Sequence, residues 1–346
     1  MSTPTTPSTP TRVRILRLLT GAWSWLFLLF ILIFFEVWSH VTYGRTFFGN
    51  IFNAQSILLA ATQILMMALG LTFIIISAGI DLSIGFIAGL SAVTMAVVIR
   101  ALDPHLAPGW SFLAGISAAV LISLIPGFIN GWMIAKLKVP SFIGTLGMFG
   151  IARGAAFLIA DGATVSIRNP VAREFGNGRV IFDLVPIPVL IAIIVTLTFH
   201  YLLSSTKFGL YVYAMGGNYA SAVRAGVNTT RLTIIIFMIS AFTASLMGLF
   251  YTGRFSAGAG DAGEPILLNA VAAVFIGGAS LTGGSGTIIG TVIGSLIIAV
   301  IQFGLVFINV PPFWQFVAVG LVIIIAVLID QSRDRLTGMS GQEEGA

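Results

Sequence analysis

The feature that most limits what this chain can fold into is a series of uninterrupted apolar runs. Each is roughly 20 residues long, the length a helix needs to cross the hydrocarbon core of a bilayer. Inside lipid no water is at hand for backbone N–H and C=O groups, so only helices and closed barrels can span it. A barrel would show segments of about 10 residues in which apolar and polar positions alternate, and these runs do not alternate. An all-α fold follows, a polytopic transmembrane helical bundle. Composition excludes a water-soluble alternative: of 346 residues 57% are hydrophobic and 8% charged, with a mean hydropathy of +1.04. The 17 basic and 12 acidic side chains cannot cover the outside of so long a chain, so much of its surface faces lipid.

Several chemistries drop out at once. With no cysteine there is no disulfide, thiolate metal site or cysteine nucleophile. His40, His105 and His200 lie at the ends of different apolar segments, so no metal site is expected. The net charge of +5 is scattered beside apolar runs, which records membrane topology and not a nucleic-acid partner.

The runs fall at 18–35, 57–78, 84–101, 111–135, 141–160, 187–203, 233–253, 267–283, 287–308 and 313–329, which predicts about ten spans. Residues 1–17 read as a disordered, basic tail carrying Arg12, Arg14 and Arg17. Glu36-Val37-Trp38 follows the first run where a cleaved signal would need small residues, so that helix is retained. Alternation from an inside start puts Lys136, Lys138, Lys207, Arg224, Arg231, Arg333 and Arg335 with the first three arginines, and most acids opposite. Lys/Arg bias sets orientation, so both ends are expected in the cytoplasm, with a membrane domain over 18–330 and a tail over 331–346. Segments 161–186 and 254–266 are then outer loops and 204–232 an inner one, each long enough to bind a partner.

The sharpest local anomaly is Ser77-Ala78-Gly79-Ile80-Asp81-Leu82-Ser83-Ile84-Gly85, where glycines and a carboxylate interrupt an apolar stretch. It reads either as a turn with Asp81 capping a helix or as an opened helix whose backbone groups line a path. A second glycine-rich break, residues 277–286, has the same layout and is a candidate repeat of the first. Glycine pairs four apart, at 85/89, 127/131, 150/154 and 290/294, suit close helix packing. Arg153 falls inside a span and needs either an ion-pair partner, with Asp81 in view, or a place in a hydrated path. Two nucleotide signatures fail on context: the G-x-G-x-x-G at 258–263 follows no strand, and the turn at 278–286 has no lysine.

Several ordered motifs then carry a family resemblance. AGIDLSIG at 78–85, INGWMIAKLKVPSFIGTLGM at 129–148, ARG at 152–154, FGLYVYAMGGNYASAVRAGVN at 208–228, AVAAVFIGGASLTGGSGTIIGTVIG at 270–294 and PPFWQ at 311–315 resemble the permease subunit of ribose-type monosaccharide ABC importers. The resemblance runs in order from about residue 50 to 330 and is specific for the family, not for the sugar. It implies a multi-pass bacterial inner-membrane permease that pairs with a second permease chain, as homodimer or heterodimer. It also implies a periplasmic sugar-binding protein and a cytoplasmic twin-cassette ATPase that holds the ATP and Mg, with no cofactor and no catalysis in this chain. ATPase contact is implied for the inner loop, at Gly216, Gly217, Asn218, Ala222, Arg224, Ala225 and Gly226. From the residues alone, 219–226 can form a short helix ending at a glycine, with Arg224 free for an acidic surface. The chain departs from the family at Leu210, Tyr219 and Ser221, and at Asn269, where similar permeases often carry an acid.

The expected function is an alternating-access importer subunit for a monosaccharide or polyol. Its path would be lined by weak polar contacts, with Asp81, Ser83, Asn130, Thr145, Asn269 and Gln302 as candidates. The alternative is an ion- or proton-coupled secondary transporter, which would need a relay of carboxylates or histidines inside the membrane.

Overall fold

The computed structural model describes residues 11–311, 313–321 and 324–325, with side chains from Trp23 onward. Of the tails expected at 1–17 and 331–346, residues 1–10 and 331–346 lie outside the described residues, while 11–17, expected to be disordered, are helical as the start of the first helix. In chain order come α1 (Thr11–Tyr43), α2 (Ile51–Ile76), α3 (Ile84–Leu102), α4 (Pro108–Lys136), α5 (Ser141–Ile159), α6 (Pro170–Asn177), α7 (Ile187–Ser205), α8 (Lys207–Gly217), α9 (Tyr219–Arg224), α10 (Thr229–Phe255), α11 (Glu264–Ile276) and α12 (Ile288–Phe307). A further helix occupies 313–321. The described strands are four two-residue pieces, β1 (Val165–Ser166) paired with β4 (Ala257–Gly258) and β2 (Arg179–Val180) with β3 (Val185–Pro186). The all-α bundle is what the apolar runs predicted.

Among the described residues, 8 helices are long and apolar enough to cross a membrane. They match eight of the ten predicted spans. The run at 267–283 differs: α11 has 13 residues, about 20 Å at helical rise, and ends at Ile276 because Gly277-Gly278 close it. The Gly278 N–H bonds the Phe275 carbonyl at 2.9 Å and the Ala279 N–H bonds Val274, with Gly278 left-handed at φ 89°. The predicted last span lies partly outside the described residues.

α2 is the central helix, buried nearly throughout from Ile64 to Ile76, and α10, α11, α12 and α7 pack around it. Lipid offers no hydrophobic drive for helix association, so close van der Waals contact has to hold the bundle. A Cβ added to Gly131 would come 2.6 Å from the Ile234 Cα, one at Gly70 2.8 Å from the Ser240 Cα, and one at Gly248 2.8 Å from the Ser91 Cβ. These three contacts seat α10 against α4, α2 and α3. Of the predicted glycine pairs, 85/89, 127/131 and 290/294 make approaches of this kind, while nothing lies within 4 Å of a Cβ at Gly150 or Gly154.

Two breaks carry the chain back into the bundle. α2 closes with a Gly79 N–H bond to Ile74 and an Ala78 N–H bond to Ile75, both 2.9 Å, with Ala78 left-handed at φ 60°. The chain then turns inward, and Asp81 reaches Ser240 on α10. Ser240 is eleven residues beyond Thr229, about 16 Å along a helix about 40 Å long. From there α3 runs alongside α10 in the same direction, with Ala88 and Ser91 against Gly248. At the other end Ser256, left-handed at φ 50°, ends α10. Residues 256–263 then descend along α3: Gly258 lies by Ala92 and Ala96, Gly260 by Gly89, and Gly263 by Gly85. α3 and α11 therefore both begin near the middle of the bundle, beside each other. Both breaks open with Ser-Ala-Gly, at 77–79 and 256–258. The geometric counterpart of 77–83 is thus 256–263, expected above to be an outer loop, and not the glycine turn at 277–286.

Candidate functional site

At the inner reach of the first break sits a buried polar cluster. Ser83 donates to Oδ1 of Asp81 from its backbone N–H at 2.9 Å and its hydroxyl at 2.6 Å, and the Ser240 hydroxyl donates to Oδ2 at 2.7 Å. Asn130 on α4 donates its Nδ2 to the Ser83 hydroxyl at 2.9 Å. Asp81 is 2% exposed and Ser83, Asn130 and Ser240 are 0%. Three helices, α3, α4 and α10, are thereby tied through one carboxylate. Thr145 of α5 is also buried and lies against the same break: its hydroxyl donates to Ser141 at 2.8 Å and comes within 3.3 Å of the Ile80 carbonyl oxygen. Four of the six path candidates are brought together in this way, inside one chain. Ser240, which completes the cluster, was not among them.

The other end of that break meets the loop between α7 and α10. Asn218 caps α9 by accepting from the Ser221 N–H at 2.9 Å, and Asn228 caps α10 by accepting from Arg231 at 3.0 Å. Gly226, at φ 81°, closes α9 through its N–H bond to Val223, and Val227 bonds Ala222. The expected short helix ending at a glycine is present, and its joints are capped at both ends. Ala222 is the buried anchor of α9, while Gly217, Asn218, Arg224, Ala225 and Gly226 are exposed. Arg224 reaches back to the Ser221 hydroxyl at 3.0 Å. The Thr229 hydroxyl, and behind it Lys138, hold the Tyr219 phenol below its ordinary pKa.

α8 joins this surface to the core without a side chain between. A Cβ on Gly216 would overlap the Ile76 carbonyl oxygen and lie 2.7 Å from the Gly284 nitrogen. Gly284 itself donates its N–H to that Ile76 oxygen at 2.8 Å, and the Tyr213 hydroxyl donates to Gly286 at 2.7 Å. The end of α2, the turn at 277–286 and α8 are one backbone-to-backbone joint. Sequence singled out all three segments but not their meeting.

The remaining candidates lie elsewhere. Arg153 does not pair with Asp81, whose oxygens are taken by the hydroxyls; its guanidinium stands over the Phe86 ring, 5.2 Å from the centroid, and is exposed. It is twelve residues beyond Ser141, about 18 Å along α5. Asn269 is nine-tenths buried on α11, and Gln302 is half-buried on α12. Asp261 and Glu264, carried inward by the second break, are exposed beside the first turns of α3, where Arg153 also stands exposed over Phe86. A charged side chain facing lipid at mid-bilayer costs about 2.5–3.5 kcal/mol, so this face is not a lipid surface. Among the described residues no group of His, Asp and Glu could hold a metal ion.

A helical bundle with two half-depth breaks, one tied by its backbone to a capped surface helix, has the build of a membrane transport permease. Comparison with known proteins agrees: the chain belongs to the family described as branched-chain amino acid transport system / permease component, matched over residues 53–327. It is 35% identical over 287 residues to the ribose import permease of Haemophilus influenzae, covering 82% of this chain and 86% of that one. It is also 35% identical over 308 residues to the fructose import permease of Rhizobium meliloti, covering 85% and 83%. The xylose transport system permease of Haemophilus influenzae is 31% identical over 328 residues, covering 78% and 86%. No solved structure matches. The chain is a multi-pass permease of the bacterial inner membrane, and the ion-coupled alternative has no support from its family.

Proposed function

We propose that this chain is the membrane-spanning permease of an ATP-driven importer for a monosaccharide or polyol. Two such chains enclose the path; a binding protein delivers solute at the end bearing α6, and a separate ATPase holding ATP and Mg docks at the end bearing α9. That end carries Lys136, Lys138, Lys207, Arg224 and Arg231, which favours the cytoplasm. The carrying observation is the joint at Gly216, Ile76 and Gly284. A push on rigid, exposed α9 reaches the end of α2 through backbone atoms alone, and from there the break that ends at Asp81. The cluster of Asp81, Ser83, Asn130 and Ser240 is fully buried within one chain, which suits a brace that moves α3 with α10 better than a solute surface. The sugar class is supported by the ribose, fructose and xylose permeases among the relatives.

Reconstitution with a candidate partner ATPase and sugar-binding protein in proteoliposomes tests this. Uptake of D-ribose, D-fructose or D-xylose that needs all three components and ATP is expected. Uptake by this chain alone on a proton or sodium gradient would sink the proposal, and uptake of L-leucine in place of every sugar would overturn the substrate class.

A further inference from the structure

We infer that the groove between the first turn of α11 and the helix over 313–321 is a hydrated sugar-recognition station within the membrane; this rests on the importer reading above. The groove holds about 380 Å³ and is lined by Glu264, Leu268, Asn269 and Phe316 among others, within the usual range of about 300–1,000 Å³ for small-molecule sites. It lies near mid-bundle, because Gly263 touches Gly85 at the start of α3.

Three side chains give it a chemistry. Asn269 is 9% exposed; its Nδ2 donates to the Pro265 carbonyl at 2.9 Å, while its Oδ1 has no hydrogen-bond partner among the described residues. Glu264, five residues earlier on α11, is exposed to the groove. Phe316, 64% exposed, lies on the opposite wall. The site thus presents acceptors on one side and an aromatic face on the other. A polyol fits both: its hydroxyls donate to the amide carbonyl and the carboxylate, and its C–H face lies on the ring. An amino-acid zwitterion would find no cationic side chain in this lining for its own carboxylate, and sugar phosphates or sugar acids would meet the charge of Glu264. So few contacts also let go readily, as a transport path requires.

The chain has no cysteine, so single cysteines report cleanly. Leu268→Cys and Phe316→Cys, in the full complex in proteoliposomes, are compared with Leu197→Cys, which is 63% exposed beside the apolar groove of α7. A charged, water-borne methanethiosulfonate should label 268 and 316 about tenfold faster than 197, since a thiol in apolar surroundings stays protonated and unreactive. Whichever of D-ribose, D-fructose and D-xylose is imported should slow that labelling. Glu264→Gln should raise the KM for its uptake about tenfold, the worth of one hydrogen bond to a charged group. Labelling as slow as at 197, or labelling indifferent to the imported sugar, overturns the station while leaving the importer standing. No uptake of any sugar removes the importer reading, and this inference with it.

Discussion

Replacing Asp81 separates the geometry of the buried cluster from its charge. In Asp81→Ala, the Ser83 N–H and hydroxyl lose a shared acceptor and the Ser240 hydroxyl loses another. Ser240 can recover by turning to the carbonyl of Ile236 one helical turn back, as serines in helices do. The Ser83 hydroxyl can turn to Asn130 Oδ1, a buried acceptor with no partner among the described residues, but the Ser83 N–H has no such recourse, because α3 starts only at Ile84. A stranded buried donor costs about 1–3 kcal/mol. One stranded donor therefore gives about 1–3 kcal/mol, roughly a 5- to 150-fold rise in the unfolded-to-folded ratio. Asp81→Asn should behave differently. Its Oδ1 still accepts both Ser83 bonds, and its Nδ2 donates to the Ser240 oxygen while that hydroxyl turns to Ile236, so the change should stay within about 1 kcal/mol. Equilibrium unfolding of the purified permease in bicelles by steric trapping reads both variants. A double-mutant cycle of Asp81→Ala with Ser240→Ala should show a coupling of about 0.5–3 kcal/mol. Asp81→Ala indistinguishable from wild type would refute the brace; Asp81→Asn as damaging as Asp81→Ala would show that the charge, not the bonding geometry, matters.

The joint between α8 and the core predicts opposite outcomes at neighbouring glycines. Gly216→Ala forces a methyl into the Ile76 carbonyl, an overpacking of about 1–3 kcal/mol, and should abolish most sugar uptake while the ATPase still co-purifies. Gly217→Ala has nothing within 4 Å and should keep far more uptake than Gly216→Ala; equal uptake by the two variants would remove the joint from the coupling route. At the surface, Arg224→Glu should weaken ATPase affinity about tenfold at low salt, and the deficit should shrink as added salt shortens the screening length. Unchanged affinity in a binding titration would count against α9 as the docking helix.

What was legible in the sequence follows from what hydropathy and capping residues can report. Runs such as 111–135 and 233–253 mark long helices because lipid demands that many apolar residues in a row. The short α9 was legible because Gly226 marks where a helix over 219–226 must end; the caps at Asn218 and Asn228 came only with the structure. Depth was not legible. Residues 254–266 are polar and glycine-rich, which along a chain looks like an exposed loop. They descend because Gly258, Gly260 and Gly263 fit against α3, a match that exists only once α3 is in place. One trace was present: Ser-Ala-Gly recurs at 77–79 and 256–258. The run at 267–283 misled for a related reason, since glycine and alanine count as apolar while Gly277-Gly278 end the helix. Ser240 carried no signal, because a serine in an apolar helix most often bonds its own backbone.

The bond from the Gly284 N–H to the Ile76 carbonyl also fixes an order of events during synthesis. The two residues are 208 positions apart (284 − 76), so at about 5–20 residues per second the ribosome takes roughly 10–40 s to deliver the partner. Throughout that interval α2, though already made, lacks the group that occupies its last carbonyl. The inner joint can close only after α11 has been laid down and the chain has turned towards α12. A nascent chain released before residue 284 therefore has its central helix but not the joint that would couple it to anything outside the membrane.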